Sequence, residues 1–431
     1  MTVRVLCSGD IHIGRRSSKV QDTFRSADAW RDIVDTAISQ KVDLVALSGD
    51  LIDKESKSYE ALGPMQHGLA RLAEAGIDTV AVTGNHDFDV LVRLTTITGT
   101  DRFHLLGQGG RWERFTLVKS GEPVLHIDGW SFSSEHIRQA PLHSYIPAPA
   151  DETPVMGLLH GDVGAGNSPY APIMEQELWA TQFAFTLLGH IHVSQRFQGP
   201  EGKMALYPGS PYALDPGERG IHGIWMAEIN RSGNVSLQSI PVSPVYYASI
   251  NIDLTGVTDE TEFQQRLSTA LQQLGERAVR DSGSASLRVV SARLVCTGEC
   301  SAHNLVEKWI HEARSGLESY PVGSIHIEVD TFTSSVRPPV NLQQRAKGSD
   351  PVAEAAKIIL ALDETTPPTP YNDLIEDTLQ QMRSIYEHPG YVRLRTRETN
   401  NEAPVESDAR ELIRSRAWEM LSLLVAQEDN K

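Results

Sequence analysis

Short apolar runs alternate with helix-like stretches and glycine-rich turns as far as about residue 244, the pattern of an α/β domain. Five runs read as strands: 3–6, 43–47, 79–82, 155–159 and 185–188. Each ends directly on a motif containing Asp, Asn or His, so the polar residues gather at strand ends, where open α/β sheets hold their ligands. From 245 to 333 the order becomes strand, helix, strand, helix, strand, which predicts a small α+β domain of the split βαβ kind. Its helices show apolar stripes at Phe263, Leu267, Ala270, Leu271 and Leu274, and at Leu305, Val306, Trp309, Ile310 and Ala313. Residues 334–351, with Pro338, Pro339, Gly348 and Ser349, read as a linker. Helical periodicity returns in 352–431, at 352–362, 372–386 and 407–426, with breaks at 365–370 and 388–390. The last segment aligns Ile413, Ala417, Met420, Leu421 and Leu424, with Ser407 as its N-cap.

A chain of 431 residues has room for two or three domains of about 100–200 residues each. No apolar stretch approaches the roughly 18 residues that would span a bilayer. The start, through Val3, Val5, Leu6 and Cys7 to Asp10, reads as a first strand and not as a signal peptide. Three cysteines, Cys7, Cys296 and Cys300, are no disulfide framework and point to a reducing compartment, the cytoplasm. A net charge of −17 argues against a surface that grips nucleic acid everywhere, since phosphate neutralisation needs clustered Lys and Arg. No phosphate-cradling G-x-x-x-x-G-K-[ST] loop is present, so any dependence on ATP is supplied by a partner.

The strand-end motifs carry the chemistry. In Asp10-Ile11-His12 an extended backbone points both polar side chains to the same side. Ser48-Gly49-Asp50 offers a carboxylate able to bridge two cations. Gly84-Asn85-His86-Asp87 offers an amide, an imidazole and a carboxylate on one tight turn, and His160-Gly161-Asp162 and Gly189-His190-Ile191-His192 complete the set. Singly, each is weak evidence for a metal. Five together, all at strand ends, are hard to explain by packing, because buried carboxylates and imidazoles are costly when unpaired. The mixture of imidazole and carboxylate suits transition metals.

These motifs, in this order, resemble the signature of the calcineurin-like metallophosphoesterases: D-x-H, G-D, G-N-H-[DE], H and G-H-x-H. The resemblance covers about residues 3–215 and implies an αββα sandwich, two sheets flanked by helices. It implies that Asp10, His12, Asp50 and His192 hold one divalent ion, and that Asp50, Asn85, His160 and His190 hold the other. Manganese is the favoured metal. His86 would remain unligated, oriented by Asp87, to stabilise charge or protonate the leaving oxygen, while two cations bind the phosphoryl oxygens and activate water.

Within that superfamily the chain is similar to the SbcD-type DNA repair nucleases. The similarity rests on Asp128-Gly129-Trp130-Ser131-Phe132, on Tyr207-Pro208-Gly209-Ser210-Pro211-Tyr212, and on the order of nuclease domain (1–244), capping domain (245–333) and terminal helices. It implies DNA as substrate, a homodimer, and a coiled-coil SbcC-type ATPase docked on those helices. Arg15, Arg16 and Lys19 are candidate DNA contacts, with Lys54 and Lys57 after the second motif. Where those nucleases have a His three residues after the Asp of the second motif, this chain has Asp53, which would add negative charge beside the substrate channel. The competing expectations are a stand-alone phosphodiesterase or nucleotidase, and a scaffold with structural metals.

Overall fold

Alternation along the first strand decides the layering. In β1 (Thr2–Ser8), Val3, Val5 and Cys7 face one apolar layer and Leu6 faces another, as period-two geometry requires. The computed structural model describes residues 2–54, 59–95, 101–149, 151–164, 166–283, 286–388 and 403–429. The further strands of the first sheet are β2 (Leu44–Leu47), β3 (Asp78–Ala81) and β4 (Phe103–Leu105). There follow β5 (Trp112–Lys119), β6 (Glu122–Trp130), β7 (Val155–His160) and the short pair β8 (Asp162–Val163) and β9 (Pro172–Ile173). Next come β10 (Phe185–Gly189), β11 (Gln195–Gln198), β12 (Met204–Tyr207), β13 (Gly223–Asn230) and β14 (Val235–Pro241).

These strands build two six-stranded sheets, in the orders β14-β13-β1-β2-β3-β4 and β11-β12-β10-β7-β6-β5. Between them lies a layer in which Val5, Cys7, Ala46 and Val80 meet Ile127, Met156, Leu158, Phe185 and Leu187, all fully buried. The outer face of the first sheet packs Leu6, Val45, Leu47 and Ala81 against α1 (Ser26–Ser39) and α2 (Tyr59–Glu74) through Trp30, Ile33, Ala37, Met65 and Leu72. The short helix α3 (Val90–Thr95) follows β3, and the outer face of the second sheet packs Leu159, Leu188, Ala205 and Tyr207 against Phe183 and against Leu178 of α4 (Glu175–Ala180). The fold is the α/β sandwich that the sequence predicts.

Register brings the motifs level. Parallel pairing sets Ser8 beside Leu47 and Leu47 beside Ala81, so the loops carrying Asp10, Asp50 and Asn85 leave the first sheet at one edge. In the second sheet Gly189 pairs with His160, which brings the last two motifs together.

The chain folds as two compact units that do not follow chain order. One comprises Met1–Ser249, Leu271–Arg293 and Leu317–Asp330; the other comprises Ile250–Ala270, Leu294–Gly316 and Thr331–Lys431. A four-stranded sheet takes the order β15 (Val245–Asp253), β16 (Val289–Thr297), β18 (Ile325–Ser334), β17 (Tyr320–Val322). It alternates with α5 (Glu260–Ser282) and α6 (His303–Arg314). Phe263, Val306, Trp309 and Ile310 are buried as expected, whereas Leu305 is 44% exposed.

The segment read as a linker contains a helical turn, α7 (Leu342–Arg345), because the Asn341 side chain accepts from the Gln344 N–H at 3.0 Å. Pro351 and the Asp350 cap begin α8 (Pro351–Ala361), as helix-start chemistry favours. Two longer helices follow, α9 (Thr369–Glu387) and α10 (Glu406–Asp429); of the predicted break at 388–390, positions 389 and 390 lie outside the described residues. Ser407 falls inside the first turn of α10, since Asp408 accepts from the Val405 N–H at 2.7 Å and moves the start forward. Ile413, Ala417 and Leu421 of α10 are buried as expected, but Met420 is 41% exposed and Trp418 is buried beneath the Arg337 guanidinium, 4.6 Å from the ring centre.

Replacing Phe185 with Ala empties the middle of the inter-sheet layer, and we expect a loss of about 3–5 kcal/mol. Denaturant unfolding followed by circular dichroism checks this; a change below about 1 kcal/mol would mean that the layer repacks freely.

Candidate metal centre

The first two loops run side by side, with Asp10 N–H donating to the Gly49 carbonyl at 3.0 Å and His12 N–H to the Asp50 carbonyl at 3.0 Å. The backbone bends sharply to do so: Asp10, His12 and Asp50 have φ of 48°, 49° and 50°, and His190 has 110°. Non-glycine residues enter this region at a cost of about 1–3 kcal/mol each and cluster at functional sites. Glycines allow the remaining approach. A Cβ on Gly84 would stand 2.2 Å from Asp50 Oδ1, and one on Gly189 would stand 2.0 Å from the Ser48 carbonyl oxygen. Two backbone donors fix the carboxylates: His86 N–H to Asp50 Oδ1 at 2.8 Å, and His190 N–H to Asp10 at 3.0 Å.

Metal-competent atoms converge from all five motifs. Asp10, His12 and His192 form one close group, Asp10, Asp50 and His160 a second, and His12, Asp50 and His86 a third, with ligand atoms in each lying within 4.8 Å of one another. The Nε2 atoms of His12 and His192 are 3.1 Å apart. Two nitrogens bound at about 2.1 Å and at right angles around one ion would stand about 3 Å apart, so a cation fits this pair. His160 Nε2 lies 3.5 Å from Asp50 Oδ2 and 3.2 Å from Asn85 Oδ1. The His190 ring packs edgewise on His160 and against Tyr170, with ring centres 5.2 and 5.0 Å away.

The charges around this cluster demand compensation. Burial raises the Asp10 carboxyl above its ordinary range. Burial also works against the Asp50 carboxylate, but His160, His12 and His86 outweigh it and hold Asp50 well below the usual range. Burial likewise disfavours charge on His192, yet the Glu218 carboxylate at 2.6 Å outweighs it and lifts the imidazole to about 9. Glu218 is correspondingly drawn down to about 2, with burial opposing. His12 moves the opposite way to His192, lowered by its burial with Asp53 and Asp50 opposing, so the gain at His192 is local to Glu218.

Asp87 is fully buried, and its oxygens accept from the Gly84 N–H at 2.8 Å and the Leu51 N–H at 2.7 Å. It clasps the two loops, and burial together with the Asp50 charge pushes its carboxyl up to about 8. The carboxylate beside His86 is instead Asp53, whose Oδ1 lies 3.7 Å from His86 Nδ1 and 3.4 Å from His12 Nδ1. At 6% exposure Asp53 faces these histidines and not an open channel. No spacing rule marks it or Glu218 as part of the centre.

Arg15 and Arg16 line a cleft of about 270 Å³ beside the His12 loop, together with Arg25, which sequence reasoning did not single out. Lys19 lies outside that lining, its carbonyl accepting from Ser291 Oγ at 2.9 Å. Lys54 is paired with Glu135 at 2.6 Å. Lys57 falls outside the described residues.

Residues 3–194 match the calcineurin-like phosphoesterase family. The chain carries a calcineurin-like phosphoesterase domain. Among curated relatives, an uncharacterised metallophosphoesterase, YhaO of Bacillus subtilis, is 26% identical over 69% of this chain and 67% of its own length. The DNA double-strand break repair protein Mre11 of Methanopyrus kandleri is 24% identical over 65% of this chain and 66% of its own length. The chain thus spans about two thirds of each. Among solved structures, TT1561 of Thermus thermophilus superposes with a TM-score of 0.35 and 14% identity, over 56% of this chain and 99% of that one. The calcineurin-like metallophosphoesterases use divalent metal ions, and the convergent donors described above are candidates to hold them.

Gly84→Ala would press a methyl group onto Asp50 Oδ1. A misplacement of that order costs about 100-fold in rate, so turnover of bis-p-nitrophenyl phosphate should fall about that far while far-ultraviolet circular dichroism is unchanged; near-normal turnover would show that Asp50 is not where the reaction needs it.

Proposed function

We propose that the chain is a two-metal phosphodiester hydrolase that cleaves DNA, working with a coiled-coil SbcC-type ATPase. The observation that carries the chemistry is the convergence of Asp10, His12, Asp50, His160 and His192 around positions that suit cations. By this reading Asp10, His12, Asp50 and His192 hold one ion, and Asp50, Asn85, His160 and His190 the other, with manganese the preferred metal. When bound, the ions supply Lewis acidity to the phosphoryl oxygens and activate water.

The protein's own residues do the rest. Backbone donors at His86 and His190 fix the two carboxylates. The His86 side chain is 29% exposed, against 22% for His192 and 1% for His12, so His86 is the most open imidazole of the three and is assigned the proton for the leaving oxygen.

DNA as substrate is supported by the Mre11 relative and by the three arginines in the cleft beside His12, because phosphate contacts position a nucleic acid. Partner docking is supported by the terminal helices. There Ala355, Ile359, Ala417, Trp418 and Leu421 bury one another, yet Leu412, Met420 and Leu423 of α10 remain exposed. Pairing through a second copy, and a cytoplasmic location, belong to the same reading; no helix among the described residues is long and apolar enough to cross a membrane.

Purified protein with Mn²⁺ should degrade DNA. Asp50→Asn should abolish cleavage together with metal binding, whereas His86→Ala should lower kcat by about 10²–10⁴-fold with metal retained. Removal of residues 337–431 should impair the nuclease, while a small-molecule phosphodiesterase would keep its turnover. Metal-loaded protein that cleaves no DNA, with or without the ATPase, refutes the proposal.

A further inference from the structure

The two histidines that face each other at Nε2 each have a carboxylate behind Nδ1, whereas His160 of the other position has a backbone carbonyl there. His192 Nδ1 lies 2.6 Å from Glu218 Oε1, a hydrogen bond, whereas His12 Nδ1 lies 3.4 Å from Asp53 Oδ1, close enough for charge attraction but without a hydrogen bond. His160 Nδ1 meets the Ser48 backbone carbonyl at 2.9 Å. Either partner fixes the Nδ1–H tautomer and leaves Nε2 free as a ligand. A carboxylate adds negative charge and raises ligand basicity, which a carbonyl does far less.

Glu218 cannot easily turn away. Its second oxygen accepts from Ser210 Oγ at 2.9 Å and from the Leu214 N–H at 2.8 Å, and the residue is 5% exposed. Ser210 belongs to the Tyr207-Pro208-Gly209-Ser210 turn, so that turn holds the carboxylate that holds the histidine. Asp53 is shared, since the same oxygen is 3.7 Å from His86 Nδ1. Its influence on His12 is therefore the weaker of the two.

We propose that Glu218, with Asp53 in a lesser part, is a positioning residue that makes the metal position at Asp10, His12 and His192 tighter than the one at Asp50 and His160. The two positions then fill in order, the tighter one first. This rests on the two-metal reading above. It also gives Asp53 a place: the Asp that stands where the resembled nucleases have His supports the ligand His12 from behind.

Titration of the full-length protein with Mn²⁺, read by calorimetry and by the electron paramagnetic resonance signal of free Mn²⁺, tests it. Two unequal steps are expected. Glu218→Gln should weaken the tighter step by about 10–100-fold, the usual cost of losing such a support, and leave the weaker step unchanged. Ser210→Ala, which removes one donor to Glu218 along with a contact to His222 Nδ1 at 3.0 Å, should act in the same direction by less. Asn85→Ala should do the reverse, weakening the second step alone. Two equal steps, or a tighter step unmoved by Glu218→Gln, overturn the inference and leave the two-metal centre standing. Should Glu218→Gln fail to fold, as judged by its thermal transition, Ser210→Ala decides in its place: a tighter step that it leaves unmoved overturns the inference equally. A wild-type protein that binds no Mn²⁺ overturns the two-metal reading itself, a result distinct from an altered order of filling.

Discussion

Buried negative charge is the constraint around which the rest is arranged. Asp10, Asp50, Asp53 and Glu218 are each no more than 6% exposed, and each buried carboxylate costs several kcal/mol unless it is matched. Backbone N–H groups of His86, His190 and Leu214 offset part of this, and imidazoles offset more. The remaining demand suits cations, while the basicity gained by His192 comes from Glu218 beside it. The catalytic capacity of the domain and its internal electrostatic tension are one property.

That tension is held by the sandwich. Four non-glycine residues of the centre adopt positive φ, and the glycines at 84 and 189 bring chain segments closer than any side chain would allow. Loops so bent survive only on a support that over-determines them. The inter-sheet layer of Val5, Cys7, Ala46, Met156, Leu158, Phe185 and Leu187 is that support, and parallel registers such as Ser8 beside Leu47 and Gly189 beside His160 deliver the loops to one edge. Packing far from the reacting atoms therefore sets their separation.

What was legible beforehand was what depends on local pattern. The strands showed as short apolar runs, and the motifs at their ends were contiguous in sequence, so both could be read without tertiary information. Glu218 and Asp53 were not legible in their roles, because each acts through a contact made by folding: Glu218 reaches His192 from a loop 26 positions onward. Asp87 looked like a partner of His86 because it is adjacent, but adjacent side chains on a tight turn diverge, and its oxygens meet Gly84 and Leu51 instead. Periodicity located α10 and most of its inward face, Ile413, Ala417 and Leu421, but included Met420, which is exposed, and left out Trp418, which is buried beside Arg337.

The same helix bears on how substrate and partner are separated in the sequence. A terminal amphipathic helix can cover its own core or offer itself to another protein, and α10 has surface for both: Ala417, Trp418 and Leu421 are buried against α8, while Leu412, Met420 and Leu423 are not covered by the described residues. Near the metal centre the basic side chains divide likewise. Lys54 is committed to Glu135, whereas Arg15, Arg16 and Arg25 line an open cleft. In a chain of net charge −17, Arg15, Arg16 and Arg25 are grouped in one cleft beside the His12 loop, with Glu60 on the same lining. The buried donors lie within the contiguous motifs and these cations outside them, so the two features can change independently of one another.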